Sequence, residues 1–195
     1  MKTDVIVVTN EERGMEAALN QVDKIAEYKE LSGKNALHLR LLAEEMMAMM
    51  RSIAGKAEGE FWMEDKDGVY ELHLKVQKLM DSRQREQLIA SSTSGRNEAT
   101  RGFMGKIRAL FDMPSDVPVF QGSFLPGIAP QTQGDLLWSM EDYRLQLQQY
   151  RDQNREDARE AWDELEKSVV AHVADDVKVS VRGREAEMTI IKKLA

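Results

Sequence analysis

Tyr70, Leu72, Leu74 and Val76 alternate strictly with Glu71, His73 and Lys75. Successive strand residues point to opposite faces, so this segment is a strand with one face on a core and the other solvated. Upstream, Phe61, Trp62 and Met63 lead into Asp67-Gly68, a pair that tolerates the positive φ of a tight hairpin turn. The sequence therefore predicts a β-hairpin here, and this is the strongest strand signal in the chain.

Other elements follow from the same periodicities. Residues 4 to 8 are rich in β-branched side chains and predict a short buried strand, after which Thr9 or Asn10 can cap a helix running from near Glu11 to about Leu31. Met15, Leu19, Val22 and Ile25, with Ala18 and Ala26, give that helix one apolar stripe, and Gly33 ends the pattern. A second helix is predicted over Asn35 to Ile53, with Leu39, Leu42, Met46, Met49 or Met50, and Ile53 at steps of three and four. Leu37, Leu41 and Ala48 fall on its opposite side, so this helix is expected to lie buried between layers.

Residues 82 to 92 read as helical, Ser91 to Gly95 as a loop, and Asn97 to Phe111 as a further helix. Pro114, Pro118, Pro126 and Pro130, with Gly122, Gly127 and Gly134, predict an irregular connection. From Asp135 a helical pattern through Leu136, Met140, Tyr143, Leu147 and Tyr150 continues to Ala161, Trp162, Leu165 and Val169, as one long helix or two. Val177, Val179 and Val181, the turn residue Gly183 and the segment Glu187 to Lys192 predict a closing hairpin. The expected fold is α+β, a two-layer α/β sandwich whose mixed, mostly antiparallel sheet is covered by helices, with a helical insertion before the final hairpin. It is read as a single domain, 1–195. Residues 1–112 form its core, 113–134 the connection, 135–173 the helical elaboration and 174–195 the hairpin that completes the sheet.

Composition restricts function. With 42% hydrophobic and 31% charged residues the chain is apolar enough to fold. Its 34 acidic against 27 basic side chains, net charge −7, repel a phosphate backbone, so nucleic acid is not an expected partner. The sequence has no cysteine, which excludes disulfides and thiolate chemistry and favours a reducing, cytoplasmic setting. No apolar run reaches the length of a membrane span, so no membrane association is expected. His38, His73 and His172 are spread far apart without a partner at ligand spacing, so no metal site is expected.

The order of a strand, two helices, a hairpin, a glycine-bearing helical segment and a terminal hairpin resembles the histidine-kinase-like ATPase superfamily (GHKL, or Bergerat fold), in particular the anti-sigma-factor serine kinases. The local resemblance is best at LRLLAEEMMAMMRSI, Leu39 to Ile53, which is similar to the family's long acidic helix. The resemblance implies ATP as cofactor, Glu45 as the acidic catalytic residue, Asp81 as the adenine-reading aspartate, and Gly102, Gly105 and Lys106 as the phosphate cradle. Three departures accompany it. Ala48 and Met49 stand four residues after Glu44 and Glu45, where the family has a magnesium-binding asparagine, and neither offers the oxygen that magnesium demands. The glycines expected around Asp81 are missing, and Gly183-Arg184 replaces a Gly-Thr pair. The expected function is a non-catalytic regulatory or interaction protein with another protein as partner and a degenerate nucleotide site, so that no catalytic residue and no cofactor are expected to be retained. The alternatives are an ATP-binding kinase of the anti-sigma-factor type, or a small-molecule-binding α+β protein whose pocket is shaped by the proline-rich stretch and Trp138. Two local features have competing readings. The cluster Arg96, Arg101, Lys106 and Arg108 can receive an anionic ligand or form a solvated helix face, and the methionines can line a binding surface or fill the core.

Overall fold

A computed structural model describes residues 1–9, 12–52, 58–77, 102–111, 128–132, 135–153, 156–183 and 185–194. The strands are β1 (Ile6–Thr9), β2 (Glu58–Lys66), β3 (Val69–Gln77), β4 (Ile128–Thr132), β5 (Asp135–Ser139), β6 (Asp176–Arg182) and β7 (Glu185–Lys193). The helices are α1 (Glu12–Tyr28), α2 (Gly33–Ser52), α3 (Gly102–Phe111), α4 (Met140–Asp152), α5 (Glu156–Glu166) and α6 (Val169–Val173). All seven strands join one sheet in the order β1-β2-β3-β7-β6-β5-β4. The fold is α+β, as the sequence implies.

The hairpin forms where the sequence places it. Asp67 and Gly68 have φ of 52° and 82°, the signature of a two-residue turn, and Lys66 faces Val69 across it. A Cβ at Gly68 would lie 2.8 Å from the Leu194 carbonyl oxygen, so glycine is required there twice over. Gly14 serves another purpose: a Cβ there would meet the Thr9 backbone nitrogen at 2.6 Å, so its absence lets α1 close onto β1.

Every strand pairing is antiparallel, where a mixed sheet was expected. The connections explain this. A single-helix crossover sets strands parallel, whereas the two helices α1 and α2 return the chain to the end of the sheet it left, so β2 runs against β1. The α4 to α6 segment does the same between β5 and β6.

One apolar cluster unites β1, β2, β3, β5, β6 and β7 with the helices. Phe61, Met63, Leu72, Leu74, Val177, Val179, Met188 and Ile190 line the inner sheet face, and Met15, Val22, Leu39, Leu42, Met46 and Met50 cover it from the helices; all are buried. Met46, Met47, Met49 and Met50 belong to this core, so the gap-filling reading of the methionines holds for them. The opposite sheet face stays partly exposed through Trp62, Glu64, Glu71, His73, Lys75, Glu187 and Thr189.

Three expectations need correction. Helix α2 does not lie between layers: Leu37 is 60% exposed and Ala48 is exposed, because the outer side of the helical layer meets solvent. Residues 135 to 139 are not helical but form β5, with Leu136 and Trp138 buried on alternate positions. Helix α4 starts only after Ser139, whose hydroxyl caps it by accepting from the Asp142 amide. Part of the expected proline-rich connection is also strand: β4 contains Pro130, tolerated because β4 is an edge strand. The helix expected over 82 to 92 and the loop at Ser91 to Gly95 lie outside the described residues.

The sheet has an internal two-fold pattern that sequence reading missed. Each half runs strand, helices, hairpin: β1, α1, α2, β2 and β3, then β5, α4 to α6, β6 and β7. A single sequence offset maps Lys66 and Val69 at the first hairpin turn onto Arg182 and Glu185 at the second, and also maps His73 onto Thr189. His73 and Thr189 are direct partners across β3 and β7, so the pseudo-axis passes through that pair at the middle of the sheet. Under the same offset, buried Phe61, Met63, Leu72 and Leu74 map onto buried Val177, Val179, Met188 and Ile190.

Candidate functional site

The residues implied by the family resemblance are placed as follows. Glu45 is half-buried on α2, and its neighbour Glu44 accepts from the Arg40 guanidinium at 3.1 Å, while Arg40 also pairs with Asp23. Met49, where the resemblance would place an asparagine, is buried in the core. Gly102 opens α3 and Gly105 is buried within it. The Lys106 ammonium lies 2.7 Å from Glu164 and 3.4 Å from the Tyr143 hydroxyl. Burial alone pushes Lys106 down, but Glu164 and Tyr143 outweigh it and hold its pKa above the ordinary value. Arg108 is buried. Thus the described members of the basic cluster face inward, and Asp81, Arg96 and Arg101 lie outside the described residues. Trp138 is also a core residue, packed against Phe103 and Tyr143 with ring centroids 5.9 and 5.7 Å away.

A different set of groups converges on the open sheet face. The hairpin register sets Trp62 opposite His73 and Glu64 opposite Glu71. Trp62 and His73 stack with centroids 4.6 Å apart and planes 3° from parallel. Trp62 donates its indole N–H to Glu64 Oε1 at 3.0 Å, and Lys2 approaches the same oxygen at 2.9 Å while lying 5.1 Å from the Trp62 ring centre. From β7, Glu187 Oε1 lies 3.1 Å and Thr189 Oγ1 3.2 Å from His73 Nδ1. On the other side of the ring, His73 Nε2 is 3.5 Å from Glu71 Oε2. Side-chain atoms of Glu64, Glu71 and His73 lie within 4.8 Å of one another. An open pocket of about 500 Å³ adjoins them, with Lys2, Glu64, Lys66 and Glu71 in its wall.

The charges of this face are tuned by their neighbours. Glu187 is held below the usual carboxylate range by its hydrogen bond with His73, against the opposing effect of burial. Glu64 is lowered likewise by Lys2 and Trp62. A carboxylate depressed in the folded state adds stability that is fully present above its unfolded pKa, near 4.5, and is lost as pH falls through the lower folded value. Stability is therefore expected to fall on acidification below about pH 4.5. Glu187→Gln should flatten that decline, as urea unfolding at pH 7 and at pH 3 would reveal. An unchanged acid slope in the variant would remove Glu187 from this role.

Sequence reading passed over this cluster because it compared histidines by their spacing along the chain. The signal was nonetheless present: alternation puts Glu71 and His73 on one face of a strand, and a two-residue turn at Asp67-Gly68 brings Glu64 and Trp62 opposite them.

No protein-family model matches the sequence, and no curated protein matches it either.

Proposed function

We propose that this chain is a non-catalytic regulatory or protein-interaction protein, with a histidine-kinase-like layered fold and a nucleotide site that has lost its chemistry. One observation carries the reading: Lys106, the cation that would meet a phosphate, is tied internally to Glu164 and Tyr143. A lysine held in a half-buried ion pair would have to give up that partner before meeting a triphosphate, at a desolvation cost that the new contact must repay. Buried Met49 supports the same reading, since a thioether cannot ligate magnesium beside Glu45. The alternative, an ATP-binding kinase of the anti-sigma-factor type, requires the opposite behaviour at these residues.

Titration of the full chain with ATP and magnesium decides between them. The expected result is no rise in melting temperature and no calorimetric saturation up to millimolar nucleotide. Saturable binding in the micromolar range, weakened by Lys106→Ala, would overturn the reading, because ligand binding to the folded state alone must raise its stability.

A further inference from the structure

The geometry points to a divalent transition-metal site of the zinc class on the open sheet face, with His73, Glu71 and Glu64 as ligands and Glu187 as the group that orients the histidine. It involves none of the residues of the nucleotide-site reading and stands or falls separately.

The His73 imidazole is the centre of the site. Carboxylates only accept hydrogen bonds, so the contact between Glu187 and His73 Nδ1 places a ring proton on Nδ1. In the neutral ring Nε2 then presents a lone pair. That nitrogen is shut off from solvent and makes no hydrogen bond, and the side chain as a whole is only 12% exposed. Glu71 Oε2, 3.5 Å away, presents lone pairs of its own. Glu64, directly across the strand pair, adds a second negative charge within the same 4.8 Å group. Like charges placed opposite each other on neighbouring strands are destabilising unless a positive species sits between them. Lys2 reaches Glu64 through Oε1, which leaves the other carboxylate oxygen of Glu64 for a further partner.

A cation among these three groups meets each requirement. It accepts the Nε2 lone pair and neutralises the opposed carboxylates. The Nδ1 contact to Glu187 reproduces the carboxylate–histidine–metal arrangement, in which a second carboxylate fixes the tautomer and raises the basicity of the ligating nitrogen. Trp62, stacked flat on the imidazole, and Thr189 on its far edge hold the ring in plane. One imidazole and two carboxylates suit zinc, manganese, iron or cobalt rather than calcium or magnesium, which take oxygen donors. Three protein ligands leave a coordination position for water, on the side where Glu64 and Glu71 border an open pocket.

The test uses the whole 195-residue chain, stripped of metal by chelator, with zinc chloride as probe in isothermal calorimetry and cobalt chloride in visible absorption. The expected result is one zinc ion bound per chain, with His73→Ala and Glu71→Gln each weakening binding at least 100-fold. Glu187→Gln should weaken it by about 10–100-fold, as loss of an outer-shell partner does. Cobalt should show an absorption band that zinc displaces. Circular dichroism checks that each variant folds; if His73→Ala does not, Glu71→Gln and Glu187→Gln, which keep size and shape, carry the result. Absence of saturable zinc binding would overturn the site. Binding that survives both Glu71→Gln and Glu187→Gln, or that falls only in His38→Ala or His172→Ala, would overturn it equally.

Discussion

Replacing Phe61 with alanine is expected to lower the unfolding free energy by about 3–5 kcal/mol, the usual cost of deleting a fully buried phenylalanine. Phe61 has no solvent exposure and sits on the inner face of β2, paired with Ile6 on one side and Leu74 on the other. The void would open in the apolar core that also holds the buried methionines of α1 and α2. Their flexibility sets the result toward the lower end of the range. For a chain of this length the loss corresponds to a fall in melting temperature of about 6–20 °C. Denaturant unfolding at neutral pH measures it, and a loss under about 1 kcal/mol would mean that β2 is not the centre of the first half.

Tyr143→Ala is expected to cost a similar amount, about 3–5 kcal/mol, for a different reason. Tyr143 on α4 meets Trp138 on β5 at 5.7 Å and Phe103 on α3 at 6.2 Å between ring centres, so one side chain ties three elements together. Its hydroxyl also lies 3.4 Å from the Lys106 ammonium. Tyr143→Phe keeps the ring contacts and removes only the polar one, for which a loss near 1 kcal/mol is expected. The gap between the two variants therefore separates aromatic packing from the polar contact. If Tyr143→Phe cost as much as Tyr143→Ala, the lysine network would supply most of the stabilisation, and the account of Lys106 as a locally satisfied cation would need revision.

The elements that were legible from sequence are those in which one periodicity stood alone. The hairpin at Asp67-Gly68 and the stripe of α1 are examples: alternation in the first and steps of three and four in the second admit no other reading. Strand β5 was illegible because Leu136, Met140, Tyr143 and Leu147 fit a helical spacing that begins inside the strand. Leu136, Trp138 and Met140 equally fit alternation, and a five-residue strand is too short to announce itself against a helix that follows without a break. Strand β4 was hidden by Pro130, which signals irregular chain unless the strand is known to be an edge. The site on the open face was legible in part. Its residues come from β2, β3 and β7, and the first two follow from the hairpin turn, but the approach of Glu187 depends on which strand lies beside β3. No local pattern encodes that choice, because it pairs segments far apart in the sequence.

The position of β7 has a consequence for assembly. The strand that comes last in sequence lies in the interior of the sheet, bonded along its length to β3 on one side and β6 on the other. Until it is inserted, β3 and β6 each carry an unsatisfied edge, and the two half-sheets share no hydrogen-bonded border. Folding of the whole must wait for a contact between residues more than a hundred positions apart, so its rate is governed by loop closure over that span more than by the stability of either half.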